Sequence, residues 1–239
     1  MVNEMNYFVI SDIHGMYKQF EHILTHWDKE STLVILGDLI DRGPQSLDVI
    51  RKVMALKEGF GEMVIFCKGN HEDMLLNYID QPELNHERYF RNGGRETMAS
   101  FFQQLPMNME DNNEIEQAYI IKENYKEELD FLAGGELYKV VGDILFTHAG
   151  FDSANADFTS TTERDFIWVR EHYLKENLTP YVNVFGHTPL QFIHESNEIW
   201  MSEDCKFVAI DGGCYFSGRL NALLISEHGE VLEKFFVEE

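Results

Sequence analysis

The sequence predicts a mixed α/β domain with parallel strands at its centre and a helical insertion. Short runs of β-branched and aromatic residues recur along the chain, and amphipathic stretches separate the first three of them. Continuous apolar runs of this kind are typical of strands buried on both faces, and strand–helix–strand order favours parallel neighbours. The length of 239 residues favours one large domain over two small ones.

Most of the predicted parallel strands lie in the first part of the chain. We expect strands at 7–10, 33–36 and 63–67, and later at 144–146 and 182–185. Helices are expected at 16–27 and 45–57, between the first three strands. In the first helix Phe20, Ile23 and Trp27 fall on one face, so this face is expected to pack on the sheet.

The later part of the chain has a different pattern. From about residue 198, short apolar runs separated by glycine-containing turns predict antiparallel strands and hairpins. These runs are 198–201, 206–210, 219–225 and 230–237. A helix-rich insertion is expected at about 72–132, with Ile115, Tyr119, Leu129 and Leu132 as its buried stripe. Because no repeat or linker is visible, we expect a single domain over residues 1–239.

The charge of the chain limits its expected partners. Lys and Arg number 19 against 42 Asp and Glu, which gives a formal net charge of −23 at pH 7. Such a surface repels phosphate backbones, so duplex nucleic acid and membranes are not expected partners. No run is long enough to span a bilayer, no signal peptide is visible, and three cysteines without CxxC spacing are typical of a reducing compartment. We therefore expect a cytoplasmic protein.

Side chains that can bind a metal follow five of the predicted strands. They are Asp12 and His14, Asp38, Asn70, His148 and His187. Because functional loops gather at the carboxyl ends of strands in open α/β sheets, we expect all six to converge. Oxygen ligands mixed with imidazole suit Mn, Fe or Zn better than Mg or Ca. Six ligands exceed what one open catalytic metal needs, which favours two ions that share a carboxylate.

Each of these residues also has an ordinary structural explanation. A lone Asp after a strand commonly belongs to a turn, and a lone His is commonly a core or surface residue without a ligand. Six such side chains buried after five apolar strands would be costly without compensating charge. The metal interpretation is therefore preferred for the set, although not for each residue taken singly.

The motifs around these residues resemble those of the calcineurin-like metallophosphoesterases. The matching segments, in the family's order, are Asp12-Ile13-His14-Gly15, Gly37-Asp38-Leu39-Ile40-Asp41-Arg42-Gly43, Gly69-Asn70-His71-Glu72, His148-Ala149-Gly150 and Gly186-His187. The second and third segments are similar to the phosphoprotein phosphatase branch, which includes bacterial diadenosine tetraphosphate hydrolases. The resemblance implies a four-layer α/β/β/α sandwich with a helical insertion and a dinuclear site on its upper edge.

The resemblance also implies roles for individual residues. One metal would bind Asp12, His14 and Asp38, and the second would bind Asp38, Asn70, His148 and His187. Manganese is the expected ion, with iron or zinc as alternatives, and a metal-bound hydroxide would attack the phosphorus. His71 would be the general acid that protonates the leaving oxygen, and Asp41 would orient its imidazole.

Two arginines are expected to hold the phosphate and assist the reaction. Arg42 lies within the second motif, and Arg170 belongs to a Trp-x-Arg element similar to that of bacterial members. A planar guanidinium can donate to two phosphoryl oxygens at once. The alternatives are an ion pair of Arg42 with Asp41 or Asp48, and an ordinary surface position for Arg170.

Arg91 and Arg95 flank a flexible Asn-Gly-Gly break within the insertion. They are candidates for binding the outer phosphates of a nucleotide or an acidic phosphopeptide. The alternative is that Glu87 and Glu96 neutralise them at the surface. A closed pocket around these arginines would favour nucleotides as substrates, and an open groove would favour proteins.

The sequence therefore predicts a dinuclear metal-dependent phosphatase, with phosphoserine and phosphothreonine in proteins as the first expected substrates. Symmetrical hydrolysis of diadenosine tetraphosphate is the close alternative, because it uses the same catalytic groups. A binding module that has lost its chemistry is the third interpretation, and it is disfavoured because His71, Arg42 and all the expected ligands are present. The oligomeric state is left open.

Overall fold

Two five-stranded sheets form the centre of the structure, a computed structural model that describes residues 5–238. The strands are β1 (Asn6–Ile10), β2 (Thr32–Ile35), β3 (Val64–Phe66), β4 (Tyr138–Val141), β5 (Ile144–Thr147), β6 (Val182–Phe185), β7 (Trp200–Met201), β8 (Phe207–Ala209), β9 (Leu220–Ser226) and β10 (Val231–Val237). The predicted positions of the parallel strands are confirmed to within one or two residues, whereas β4 was not predicted.

Each sheet combines a parallel centre with antiparallel edges. The first sheet has the order β10-β9-β1-β2-β3, with β1, β2 and β3 parallel. The second has the order β4-β5-β6-β8-β7, with β5, β6 and β8 parallel. The antiparallel prediction for the late strands holds for the β9–β10 and β7–β8 pairs and for β9 beside β1, whereas β8 also lies parallel to β6 on its other side. The segment between β6 and β8 contains a short helix (Gln191–His194) and β7, so that β8 can run parallel to β6.

Successive side chains of each strand face opposite sides of its sheet, so the structure has three layers of hydrophobic core. In β1, Tyr7 and Val9 face the second sheet, whereas Phe8 and Ile10 pack under the helices. In β5, Phe146 joins the core between the sheets, and Leu145 packs on the opposite face. Two outer cores and one between the sheets make a helix–sheet–sheet–helix sandwich, which confirms the predicted α/β architecture.

The helices cover the outer faces of the sheets. They are α1 (Tyr17–Ile23), α2 (Ser46–Phe60), α3 (Asn70–Asp80), α4 (Pro82–Arg91), α5 (Gly94–Phe102), α6 (Glu114–Asn124), α7 (Lys126–Ala133), α8 (Glu163–Trp168) and α9 (Gln191–His194). The run from α3 to α7 lies between β3 and β4 and packs on α2. No helix within residues 5–238 has the length and apolar character needed to cross a membrane.

The predicted buried stripe of the insertion is wrong in α6. Tyr119 is 48% exposed, and its hydroxyl donates to Glu83. Gln117, Ala118 and Ile121 are the residues that α6 buries instead. Because α6 packs on α3 and α4, these helices determine which of its faces is buried, and the largest apolar side chains do not.

Candidate active site

The loops at the carboxyl ends of six parallel strands place their polar side chains together. Those of the first sheet follow β1, β2 and β3, and those of the second follow β5, β6 and β8. The buried side chains on these loops are Asp12, His14, Asp38, Asn70, His71, His148, His187 and Asp211. Several face a common cavity of about 190 Å³, called the site cavity below, which is lined by Asp38, Arg42, Asn70, His71, Trp168, Arg170 and His187 among others.

Backbone strain is concentrated in these loops. Six residues of the site other than glycine have left-handed φ angles: Asp12 (54°), His14 (47°), Asp38 (53°), Asp41 (69°), Arg42 (71°) and His187 (62°). L-residues adopt this region at a cost of about 1 kcal/mol or more, and surrounding contacts must hold them there. One such contact is the His14 amide, which donates to the Asp38 carbonyl at 2.8 Å. The fold therefore aims these side chains in advance of any ligand.

Glu72 fastens two of the loops from beneath the site. Its buried carboxylate accepts hydrogen bonds from the backbone amides of Asp38 (2.9 Å), Leu39 (2.8 Å) and Gly69 (2.8 Å). A Cβ atom at position 69 would lie 2.2 Å from Asp38 Oδ1, so glycine is required where the loops meet. The sequence interpretation missed Glu72, although its spacing from Gly69 is that of a capping box at the start of α3.

Two groups of candidate metal-ligand atoms share Asp38. His14, Asp38 and His71 form one group, and Asp38, His148 and His187 form the other, with the ligand atoms of each group within 4.8 Å of one another. The sharing of Asp38 agrees with its expected bridging position.

Asn70 and Asp12 lie beside these groups in different ways. The Oδ1 atom of Asn70 is 2.9 Å from His148 Nε2, so Asn70 adjoins the second group. The Asp12 carboxylate accepts hydrogen bonds from the Ser11 hydroxyl and from the His187 amide, at 3.0 Å for the latter. Asp12 is therefore next to the expected ligands but is absent from the first group, where His71 stands in its place.

The chemistry of these donors fits divalent cations. His187 Nε2 is buried and has no hydrogen-bond partner among the described residues, as expected of an imidazole nitrogen that faces a ligand. Burial raises the pKa of both Asp12 and Asp38 well above the usual range, and the neighbouring Asp211 carboxylate raises both further. Cations held between these carboxylates would remove that repulsion and satisfy the free nitrogen.

His71 and Asp41 form a buried pair. His71 Nδ1 lies 2.7 Å from Asp41 Oδ2, and the two side chains are 2% and 0% exposed. Burial raises the pKa of Asp41 to about 7, although hydrogen bonds from Thr97 and Tyr89 oppose this rise. Burial lowers the pKa of His71 well below its usual value, and the nearby Arg42 guanidinium lowers it further. The pair has the expected geometry of an oriented imidazole whose Nε2 faces the site cavity.

Arg42 spans the floor of the cavity rather than pairing with an acid. Its guanidinium donates to the Nε2 atoms of His14 at 2.6 Å and His71 at 3.0 Å, which requires both imidazoles to be neutral. Its backbone amide donates to the Gly93 carbonyl, and a Cβ at position 93 would lie 2.7 Å from Arg42 Cγ. Over residues 5–238 Arg42 makes no ion pair with Asp41 or Asp48. Its position suits phosphate binding.

Two open hollows adjoin the site cavity. The first, called the Phe216 hollow, has a volume of about 520 Å³ and shares Arg42 and Phe216 with the site cavity. Its other lining residues include Arg91, Arg95, Glu96 and Tyr215. The Arg42 guanidinium lies 5.0 Å from the Phe216 ring centre, at the boundary between the two spaces.

The second, called the Trp168 hollow, lies across the Trp168 indole and has a volume of about 380 Å³. Its lining includes Lys68, Asp73, Arg88, Glu163 and Arg164. Arg88 stacks on Trp168 with its guanidinium carbon 5.0 Å from the ring centre. The two hollows beside the site cavity thus carry arginines and aromatic rings, together with the acidic residues Asp73, Glu96 and Glu163.

The remaining candidate arginines lie at the edge of the site. Arg170 is exposed and lines the site cavity. Arg95 is also exposed and pairs with Glu110 at 2.7 Å rather than with the expected Glu87 or Glu96. Arg91 is exposed beside it in the Phe216 hollow, which is an open groove and not a closed pocket.

The sequence interpretation also missed two residues of the insertion that contact the buried pair. Tyr89 in α4 and Thr97 in α5 each donate a hydrogen bond of 2.8 Å to Asp41 Oδ1. No local motif marks either residue, because the contact depends on how the insertion packs over the loop that follows β2.

Known proteins similar to this chain were found by sequence and by structure. A family model described as calcineurin-like phosphoesterase matches residues 5–218. The asymmetrical bis(5'-nucleosyl)-tetraphosphatase PrpE of Bacillus velezensis is 26% identical over 257 residues, covering 95% of this chain and 92% of that protein. A symmetrical bis(5'-nucleosyl)-tetraphosphatase of Buchnera aphidicola is 39% identical over 90 residues, 36% of this chain. A Saccharomyces cerevisiae protein serine/threonine phosphatase shares the fold, with a TM-score of 0.63, 12% identity and coverage of 100% of this chain and 81% of that one.

Proposed function

This chain belongs to the calcineurin-like phosphoesterase family, as its motifs predicted, and on that premise we propose that it hydrolyses dinucleoside polyphosphates. The full-length relative from Bacillus velezensis is named for that activity. The proposal reverses the order of the sequence interpretation, which placed phosphoproteins first. The open groove around Arg91 and Arg95 is the shape that was expected to favour proteins, so a phosphoprotein substrate is retained as the second candidate.

The distribution of arginine supports the polyphosphate. The chain has eight arginines and a net charge of −23. Six of the eight line the site cavity or its two hollows: Arg42, Arg88, Arg91, Arg95, Arg164 and Arg170. A single phosphorylated side chain fills the site cavity alone, whereas an extended polyanion also reaches the arginines on either side. This concentration of cations on an acidic protein is the observation that carries the proposal.

Aromatic side chains beside these arginines suit the two nucleosides. Tyr215 and Phe216 are exposed at one hollow, and Trp168 forms the wall of the other. Bases stack on exposed aromatic rings with little dependence on their sequence. Phosphates held by arginine and bases held by aromatic rings are the two parts of a dinucleoside polyphosphate.

The residues around the site cavity have distinct roles in this reaction. Two divalent cations would be held by Asp12, His14, Asp38, Asn70, His148 and His187. Such cations, when bound, neutralise phosphoryl oxygens and lower the pKa of water. Arg42 and Arg170 hold the oxygens of the phosphate being cleaved.

His71 supplies the proton to the leaving oxygen, and Asp41 keeps its Nδ1 protonated and its Nε2 directed into the cavity. A bound polyphosphate draws the Arg42 guanidinium away from His71 Nε2 and onto its own oxygens. Its negative charge beside Nε2 then favours the protonated imidazole, which offsets the lowering of the His71 pKa by burial.

A side-by-side assay of the Mn-loaded protein tests the proposal. We expect faster turnover of diadenosine tetraphosphate than of a phosphothreonine peptide, with His71→Asn as the background control. Chromatography of the products separates ATP plus AMP from two molecules of ADP, and so distinguishes asymmetrical from symmetrical cleavage. A clear preference for the peptide would contradict the proposal and support the second candidate.

A further inference from the structure

The two oxygens of Asp41 have separate partners. Oδ2 faces His71 Nδ1 at 2.7 Å, while Oδ1 accepts from the Tyr89 hydroxyl and the Thr97 hydroxyl, each at 2.8 Å. The Asp41 amide in turn donates to Thr97 Oγ1 at 2.8 Å. Rotation of the carboxylate would break two hydrogen bonds at once, so its orientation toward His71 is fixed from the opposite side.

Tyr89 is itself held rigidly. Its ring is fully buried and stacks on the Tyr78 ring, with centroids 4.9 Å apart and an interplanar angle of 19°. A Cβ atom at position 94 would lie 2.4 Å from the Tyr89 ring, so the glycine that begins α5 allows the close approach. The Tyr78 hydroxyl, in contrast, donates to the Glu114 carbonyl and does not reach Asp41. The hydroxyl of Tyr89 therefore has one position, at Asp41.

We propose that Tyr89 and Thr97 are positioning residues through which the helical insertion sets the geometry of proton transfer. By holding Asp41 Oδ1, they align Oδ2 with His71 Nδ1 and so aim His71 Nε2 at the leaving oxygen. This inference rests on the proposed role of His71 as the acid. It gives the insertion a part in the chemistry, in addition to any part in substrate recognition through Arg88, Arg91 and Arg95.

The dependence of turnover on the leaving group tests this role. Phenyl phosphate needs a proton on its leaving oxygen far more than p-nitrophenyl phosphate does, because p-nitrophenolate is the weaker base. We expect Tyr89→Phe to lower kcat on phenyl phosphate by about 10-fold, a part of the 10²–10⁴-fold that a general acid typically provides. On p-nitrophenyl phosphate we expect a change of less than about twofold, with KM unchanged on both substrates.

The matched control is Tyr78→Phe, which removes the hydroxyl of the stacked neighbour without touching Asp41. We expect Tyr78→Phe to leave the ratio of the two rates at its wild-type value. Thr97→Val is the second variant and is expected to shift the ratio of the two rates in the same direction as Tyr89→Phe, and Thr97→Ser is expected to restore it. These variants keep the test valid if Tyr89→Phe folds poorly.

Both substrates are simple phosphomonoesters, so the result is independent of the natural substrate. An equal loss on both substrates in Tyr89→Phe and Thr97→Val would overturn the inference and leave these residues a structural role only. Unchanged rates in both variants would overturn it as well. His71→Asn is assayed in parallel. If it lowers kcat equally on both substrates, His71 is not the acid and the inference fails together with that role. If His71→Asn lowers kcat more on phenyl phosphate but Tyr89→Phe and Thr97→Val do not, the inference fails while the role of His71 stands.

Discussion

The floor and the rim of the site hold their side chains in different ways. The floor consists of the buried residues Asp12, His14, Asp38, Asn70, His71, His148 and His187. Most of these have hydrogen bonds from other loops, such as that from the His71 amide to Asp38 Oδ1 at 3.0 Å. On the rim, the guanidinium groups of Arg91 and Arg164 have no hydrogen bond or ion pair to any residue in the range 5–238.

This difference separates two kinds of contribution to function. The folded chain fixes the floor, so a substitution there removes an interaction that no neighbour can replace. A rim arginine loses side-chain entropy only when a substrate orders it, so each one adds little. The floor therefore determines the reaction, and the sum of the rim contacts determines the substrate. Substitutions on the floor and on the rim test this division.

Asp38 is the floor residue on which both groups of ligand atoms depend. We expect Asp38→Asn to weaken both metal sites together, and to lower turnover by about 10³-fold or more, since metal ions contribute several kcal/mol to charge stabilisation. Metal analysis of the purified protein checks the first expectation without an assay. The control is Asp48→Asn on the exposed side of α2, which is expected to retain both ions. Two ions retained by Asp38→Asn would show that Asp38 is not shared.

His172 shows how far burial alone, away from the site, lowers the pKa of a histidine. It is as deeply buried as the floor histidines but lies beneath the second sheet, against Phe185 and Phe207. Its Nε2 lies 3.0 Å from Asn183 Oδ1, and its Nδ1 has no hydrogen-bond partner among the described residues. The Asn183 amide group donates to Leu145 and Thr147, so its oxygen accepts from His172 Nε2. A proton on Nδ1 would have no acceptor, which favours the neutral imidazole.

Burial lowers the pKa of His172 from 6.5 to about 4. The unfolded chain therefore binds this proton at a higher pH than the folded chain, and the stability due to the neutral form is complete above 6.5 and lost as pH falls to about 4. The loss corresponds to about 3 kcal/mol. Denaturant titrations should show that the free energy of unfolding of wild type, relative to that of His172→Gln, falls by this amount between pH 6.5 and 4. The exposed His22→Gln is the control. An unchanged difference between wild type and His172→Gln would contradict this account.

The floor could be predicted from sequence because its chemistry is local. Each candidate ligand follows a strand within a few residues, and parallel strands end at one edge whatever the details of packing. Asp12 shows the limit, since its position relative to His71 depends on a left-handed turn and on a contact with the His187 amide. Propensity does not determine such contacts between distant loops.

The rim could not be predicted in the same way. The Trp168 hollow joins Lys68, Arg88 and Arg164, which belong to three separate segments without a shared motif. Strand β4 was missed because its half-buried residues at the sheet edge lack a clear apolar run. Where a feature depends on how one segment packs on another, its residues look like ordinary surface positions in the sequence.

The smallest expected effect is that of a single rim arginine, and it is the sharpest test of the division between floor and rim. We expect Arg164→Ala to raise KM for diadenosine tetraphosphate by about two- to fivefold, the range of a solvent-exposed charge contact, with kcat unchanged. Hydrolysis of p-nitrophenyl phosphate should be unaffected, because that substrate does not reach the Trp168 hollow. Lys126→Ala removes an exposed cation that lines neither the site cavity nor its two hollows, and it therefore controls for net charge. Higher salt should reduce the difference between Arg164→Ala and wild type, since the contact is screened. If Arg164→Ala instead lowers kcat on both substrates, the arginine acts on the reacting phosphate, and the rim cannot be separated from the floor.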